Sequence, residues 1–141
     1  MNSKLEDILH LSDREKQTRE IMSFYKERFE RKEFVSVIND LVSAFKNQGN
    51  DDYQAVLATE QLCEHLAHQD TTLGLCLMIE LLPIASDAYA HDVWDGIGLW
   101  IDAEGNADVL AYLETRYEST DDIDRKEIYG EQIDYMNRKL S

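Results

Sequence analysis

Acidic and aromatic side chains crowd one stretch of the chain, from residue 87 to residue 108. This stretch contains no lysine or arginine, and its other candidate cation, His91, is largely neutral at pH 7. Carboxylates without nearby counter-ions attract lysine and arginine, and a half-exposed tyrosine or tryptophan supplies the anchor that interfaces favour. The stretch therefore predicts a surface that binds a basic partner. The partner-binding residues predicted here, two of them one turn apart on an earlier helix, are Glu60, Glu64, Asp87, Tyr89, Asp92, Trp94, Asp95, Asp102, Glu104 and Asp108. The alternative interpretation is a solvated acidic face above a core stripe of Tyr89, Val93, Ile97 and Trp100.

The charges are unevenly distributed along the chain, whose formal net charge is −15. Residues 1–34 hold eight acidic and eight basic side chains, and residues 116–141 hold seven acidic and five basic ones. Residues 35–115 hold fourteen acidic side chains and a single basic one, Lys46. Such a field repels nucleic acid and anionic membranes and attracts cationic partners.

Other site chemistries find little support in the residue spacing. Cys63, His65 and His68 are close in sequence, but a zinc site needs three or four ligands on converging faces, and Cys63 belongs to a buried stripe. The acidic turn at 102–108 lacks the glycine and the glutamate of a calcium loop, because those positions are Ala107 and Leu113. No nucleophile motif is present. We therefore predict no catalytic residues, no metal and no cofactor, and we expect both cysteines, Cys63 and Cys76, to be buried free thiols.

The element around which the chain is organised is the segment from Leu73 to Leu82, which only Gly74 and Glu80 interrupt as non-apolar residues. A helix that is apolar on all sides must be enclosed by its neighbours, and about ten residues are too few to span a bilayer. We predict a central helix capped by Thr71 or Thr72 that ends or kinks at Pro83.

Amphipathic helices surround this centre. Apolar residues recur at helical spacing in two helices that precede it, as Phe34, Val37, Ile38, Leu41, Val42 and Phe45, and as Ala55, Val56, Thr59, Leu62, Cys63 and Leu66. The last two helices carry the stripes Val109, Leu110, Leu113 and Tyr117, and Ile123, Tyr129, Ile133, Met136 and Leu140. Helices are predicted to begin near residues 13, 33, 52, 72, 87, 106 and 121, and residues 96–101 could instead be extended. The short turns favour antiparallel neighbours. The chain is thus predicted to be all-α, a single domain over 1–141 with about six to eight helices, either a hairpin stack resembling an α-solenoid or a compact bundle.

Several predicted helix ends have a chemical basis. Ser12-x-x-Glu15 has the form of a capping box for a helix running from Asp13 to about Arg31. Gly49 is predicted to end the following helix in a left-handed conformation, and Asp51 to cap the one after it. The polar start of the chain predicts no signal peptide, and no apolar run is long enough for a membrane span, so a cytoplasmic location is expected.

At class level the chain resembles the small acidic all-helical immunity proteins of bacterial toxin–immunity systems, including contact-dependent growth inhibition. The resemblance rests on size, helical content, cytoplasmic character and the acidic middle from Val35 to Thr115, and no site residues are transferred from it. It implies a non-catalytic protein that blocks the active site of a cationic toxin, often a nuclease, with carboxylates that stand where phosphates would. Two other classes stay open: a helical adaptor or scaffold that binds a peptide or host protein along an apolar groove, and a helical enzyme whose carboxylates hold Mg²⁺.

Overall fold

Eight α-helices are formed by the residues that the computed structural model describes, which are 3–85, 97 and 107–140, and none of these residues lies in a β-strand. This confirms the all-α class. The helices are α1 (Ser3–Leu9), α2 (Arg14–Phe24), α3 (Lys26–Glu30), α4 (Phe34–Asn47), α5 (Asp52–Gln69), α6 (Thr71–Leu81), α7 (Ala107–Ser119) and α8 (Ile123–Leu140).

Helix α6 lies at the centre, in contact with α4, α5 and α7. Every residue from Leu73 to Leu82 is buried, which confirms the prediction drawn from its apolar sequence. The stripes predicted for α4 and α5 are also buried in full. Helices distant in sequence pack together as well, α1 against α4 and α2 against α5, so the N-terminal helices fold back onto this centre. In the described part of the chain, no helix combines the length and the apolar character needed to cross a membrane.

The first long helix differs from its prediction at both ends. Its cap is Asp13 rather than Ser12, because the Asp13 carboxylate accepts hydrogen bonds from the backbone N–H groups of Glu15 and Lys16, at 3.1 and 3.2 Å. Aspartate and serine are equally good caps, so the sequence does not distinguish between neighbours of these types. The predicted single helix from Asp13 to Arg31 is two helices, α2 and α3, separated by Tyr25 at φ −102° and ψ 15°.

A single residue, Asp70, joins α5 to α6. Its N–H donates to the Leu66 carbonyl oxygen (2.8 Å), and its side chain accepts from the Leu73 N–H (3.1 Å), so it ends one helix and caps the next. The prediction of Thr71 or Thr72 as the cap is therefore wrong. The predictions for the preceding turn are confirmed: Gly49 has φ +94°, and Asp51 forms a capping box with Gln54.

The two C-terminal helices bury a different set of residues than predicted. On α7, Tyr112 is buried, whereas Tyr117, predicted to be apolar core, is 39% exposed. On α8, Tyr129 and Met136 are buried as predicted, but Ile123 is 81% exposed because it is the first residue of its helix, directly after the Asp122 cap. The helix predicted near residue 87 lies outside the described residues except for Ile97, which is helical and buried.

Tyr25 is buried in an aromatic cluster with Phe24 and Phe29, and within the described part of the chain its hydroxyl makes no hydrogen bond of normal geometry, although the Asp40 carboxylate is close enough to interact with it. Burial foremost, and then the charge of Asp40, raises the pKa of this phenol, so it stays protonated. An unpaired buried hydroxyl costs about 1–3 kcal/mol, and phenylalanine would remove it while keeping the ring. We expect Tyr25→Phe to leave the free energy of unfolding unchanged or to raise it by about 1 kcal/mol. Urea denaturation measures this, and a clear loss of stability would mean that the hydroxyl has a partner in solution.

Candidate functional site

The predicted partner-binding surface falls largely outside the described residues. Seven of its ten members lie there: Asp87, Tyr89, Asp92, Trp94, Asp95, Asp102 and Glu104. Of the other three, Asp108 is exposed at the start of α7 and Glu64 is half-buried on α5. Glu60 is only 7% exposed, because it lies one turn from the buried Val56 and Cys63 on the inner face of α5. Glu60 is therefore not available to a partner at the surface, in contrast to the expectation from its spacing.

Several acidic side chains of the middle segment are engaged within the protein. Asp40 forms an ion pair with Arg28 at 2.5 Å, and Asp52 forms one with Lys46 at 2.6 Å. Asp51 and Asp70 cap helices. The segment that looks uniformly unpaired in the sequence is thus partly neutralised in the fold, in one case by an arginine from the N-terminal region.

The most heavily engaged carboxylate is Glu80, which is fully buried on α6. Its Oε1 accepts hydrogen bonds from the Tyr129 hydroxyl (2.5 Å) and from Arg125 Nη1 (2.9 Å). Its Oε2 accepts from the Tyr112 hydroxyl and from Arg116 Nε (3.2 Å). Arg116 also donates through Nη2 to the Tyr129 hydroxyl at 3.1 Å. Four residues from the two C-terminal helices therefore converge on one carboxylate of the central helix.

This arrangement, called here the Glu80 network, satisfies the carboxylate completely, since a carboxylate accepts about four hydrogen bonds. Burial foremost, together with the Glu80 carboxylate, raises the pKa values of Tyr112 and Tyr129, so both phenols remain protonated donors. With both oxygens occupied and no exposed area, the network acts as a clamp that holds α7 and α8 to α6. The four partners of Glu80 are not predictable from local spacing, although a glutamate in an otherwise apolar helix signals that such partners exist.

The Glu80 network also changes the surface of the C-terminal helices. The Arg116 and Arg125 side chains are 28% and 14% exposed, and both direct hydrogen bonds to Glu80. They are two of the five basic residues of the segment 116–141, which has seven acidic ones. The count of five basic and seven acidic residues therefore does not describe the surface of this segment. Two of its arginines neutralise Glu80, a buried carboxylate from another part of the chain.

A groove between α7 and α8 brings exposed acidic groups together around a tyrosine. It has a volume of about 510 Å³ and is lined by Glu114, Tyr117, Glu118, Gly130, Ile133, Asp134 and Asn137. The three carboxylates are exposed, and none of them forms an ion pair within the described part of the chain. The Lys126 ammonium lies 4.6 Å from the centre of the Tyr117 ring, a cation–π contact. We call this the hairpin groove.

The acidic character continues along α8. Asp124, Glu127, Glu131 and Asp134 are all exposed and follow one another at steps of three, four and three residues, which places them on one face of the helix. Asp134 belongs both to this stripe and to the hairpin groove. The groove and the stripe therefore share one carboxylate, and the stripe extends the exposed acidic side chains from the groove along α8.

The described residues include no cluster of three or more histidine, cysteine or acidic side chains placed to hold a metal ion. Cys63 and Cys76 are buried free thiols, as predicted. Burial foremost, followed by nearby carboxylates, raises the pKa of each thiol and keeps it protonated and unreactive. His65 and His68 are exposed on α5, away from the buried Cys63.

Comparisons with known proteins leave function to be inferred from these residues and their geometry. No protein-family model matches the chain, and neither the curated proteins nor the solved structures yield a similar protein.

Proposed function

We propose that this protein is a non-catalytic binding protein that neutralises a basic protein partner. In the most specific form of this proposal, the protein is a cytoplasmic immunity protein that blocks the active site of a cationic bacterial toxin, such as a nuclease. The observation that carries the proposal is the hairpin groove, where three exposed carboxylates, none in an ion pair with another described residue, line one groove with a partly exposed tyrosine. The sequence predicts a binding surface of acidic and aromatic side chains at residues 87–108. The hairpin groove combines the same two types of side chain, but at other positions in the chain.

The groove suits a lysine or arginine side chain for two reasons. The Tyr117 ring holds an ammonium group within the fold, that of Lys126, and an incoming lysine or arginine would take the place of that ammonium on the ring. Glu114, Glu118 and Asp134 can add charge-assisted hydrogen bonds, which are stronger than those between neutral groups. Exposed charges of one sign also steer an oppositely charged partner and speed association, with an effect that salt screens.

The proposal is tested on the protein pair that it implies. The probe is the basic C-terminal domain of a secreted toxin encoded next to this gene, and stopped-flow fluorescence measures the association rate. We expect the rate to fall steeply between about 50 and 500 mM salt. The triple variant Glu114→Lys, Glu118→Lys, Asp134→Lys should slow association about tenfold or more at low salt.

A matched control separates the groove from overall charge. The variant Asp7→Lys, Glu20→Lys, Glu27→Lys makes the same charge change at exposed positions on α1, α2 and α3. It should slow association much less. A rate that does not depend on salt, or an equal effect of both triple variants, would contradict binding at the hairpin groove. The adaptor alternative predicts a weak salt dependence, so the same titration distinguishes the two functions.

A further inference from the structure

A second concave site lies on another part of the molecule, between the turn that links α3 to α4 and the first residues of α6 and α7. It is an open cavity of about 450 Å³, within the range of ligand-binding sites. Its apolar lining comes from Met22, Phe29, Phe34 and Leu73. Its charged lining consists of Lys26, Glu30, Lys32, Asp70 and Asp108. We call it the α3–α6 cavity.

The charged groups of the α3–α6 cavity do not neutralise one another. Asp70 uses one carboxylate oxygen to cap α6. Among the residues that the structure describes, the side chains of Lys26, Glu30, Lys32 and Asp108 form no ion pair and no hydrogen bond. Groups of both signs thus face one space without pairing across it. Both remain available to a ligand that carries both charges.

Three of these charged groups affect the pKa of a buried thiol on α6. The pKa of the buried Cys76 thiol is raised by burial first and by Glu80 next, but it also responds to more distant charges. Lys32 lowers it, whereas Asp70 and Asp108 raise it. One amine from the end of α3 and two carboxylates from the starts of α6 and α7 thus line the same cavity and act on the same buried thiol of the central helix.

Lys32 adopts a backbone conformation that glycine normally supplies. Its φ is +57°, and it occupies the left-handed position of a Schellman motif at the end of α3. The Lys32 N–H donates to the Phe29 carbonyl oxygen (3.1 Å) and the Glu33 N–H to that of Arg28 (2.9 Å). A side chain at this position costs stability that glycine would not. The lysine therefore places an ammonium at the cavity at the expense of the fold, a pattern typical of functional positions.

We propose that the α3–α6 cavity binds a small zwitterion with an apolar body, namely a free α-amino acid with a large apolar side chain. The side chain packs on Phe29, Phe34 and Leu73. The carboxylate binds Lys32, with Lys26 nearby, and the ammonium binds Asp108 and the uncapped oxygen of Asp70. This site is independent of the hairpin groove.

Calorimetry and thermal melting of the full chain test the proposal with L-phenylalanine and L-leucine as probes. Both should bind saturably and raise the melting temperature, because a ligand of the native state stabilises it. N-acetyl-phenylalanine lacks the ammonium and phenylalaninamide lacks the carboxylate, so each should bind about tenfold more weakly or worse. If neither amino acid binds, or if the blocked analogues bind equally well, the proposal is wrong.

Two variants distinguish binding from a structural role. Lys32→Gly should raise the melting temperature without ligand, since glycine relieves the left-handed strain, and should still weaken L-phenylalanine binding about tenfold. Asp108→Asn should weaken binding similarly. Its control is Asp124→Asn, which removes the same charge from the second residue of α8 and should leave binding unchanged. Unaltered affinity in both Lys32→Gly and Asp108→Asn would overturn the assignment.

Discussion

Replacing Glu80 with alanine is expected to lower the free energy of unfolding by about 3–5 kcal/mol. The substitution removes the acceptor of four hydrogen bonds and leaves two arginines and two buried tyrosines of α7 and α8 without their partner. Most of that cost comes from removing the buried counter-charge of Arg116 and Arg125, since Arg125 keeps only the Asp122 carboxylate at 3.9 Å and Arg116 only the neutral Tyr129 hydroxyl. Because small domains are stable by only about 5–15 kcal/mol, this variant approaches the unfolding threshold. Chemical denaturation followed by circular dichroism measures the change.

Three comparison variants show which interaction accounts for the loss of stability in Glu80→Ala. Glu80→Gln keeps the volume and one acceptor oxygen, so its loss should be smaller than that of alanine. Tyr129→Phe removes one donor and should cost about 1–2 kcal/mol. Glu114→Ala removes an exposed carboxylate and should stay within about 0.5 kcal/mol of the wild type. A loss below about 1 kcal/mol for Glu80→Ala would show that the Glu80 network does not hold the C-terminal helices in place.

The second large effect is expected at Gly74 of α6, which packs directly against Ala67 of α5. A Cβ atom at this position would lie 2.4 Å from the Ala67 Cβ and 2.5 Å from the Ala67 backbone N and Cα. Backbone atoms cannot move aside as a flexible side chain can, so the two helices would have to separate. We expect Gly74→Ala to cost about 3 kcal/mol, the upper end of the range for overpacked cores. The measurement is again the free energy of unfolding.

A matched glycine on α8 serves as the control. Among the described residues, a Cβ at Gly130 would meet the Tyr117 ring alone, at 3.3 Å, and that ring is partly exposed and can shift. Alanine is favoured over glycine in a helix by about 1 kcal/mol, so Gly130→Ala should be close to neutral or stabilising. Adding Ala67→Gly to Gly74→Ala should restore little, because the backbone contacts remain. Equal stability of the Gly74 and Gly130 variants would refute the close contact.

These predictions bear on the proposed function because the Glu80 network shapes the acidic surface. Glu80 draws Arg116 and Arg125 toward the core, so the exposed carboxylates of α7 and α8 keep fewer basic neighbours. We therefore expect the negative charge of the hairpin groove to depend on Glu80, although this buried residue does not line the groove. The same carboxylate, Glu80, thus contributes to the stability of the C-terminal helices and to the charge of their surface.

Local patterns determined the helices. The apolar spacing in α4 and α5 identified their buried faces, and the uninterrupted run in α6 identified the centre, because burial follows from residue type and helical period. The Asp51 cap and the left-handed Gly49 were predictable since both depend on a few adjacent residues. The sequence does not distinguish between neighbouring residues that can all cap a helix. The caps of α2 and α6 are Asp13 and Asp70, not Ser12 and Thr71.

The partners of buried charges were decided only by the tertiary structure. The residues that bind Glu80 lie 32, 36, 45 and 49 positions away in sequence, and no local pattern links them to it. The sequence by itself determined an acidic helical protein and the identity of its central helix. Whether a given carboxylate is buried, as Glu60 is, or exposed, as Asp108 is, depends on which faces of the helices meet. Charge is a property of composition, but its availability to a partner is a property of packing.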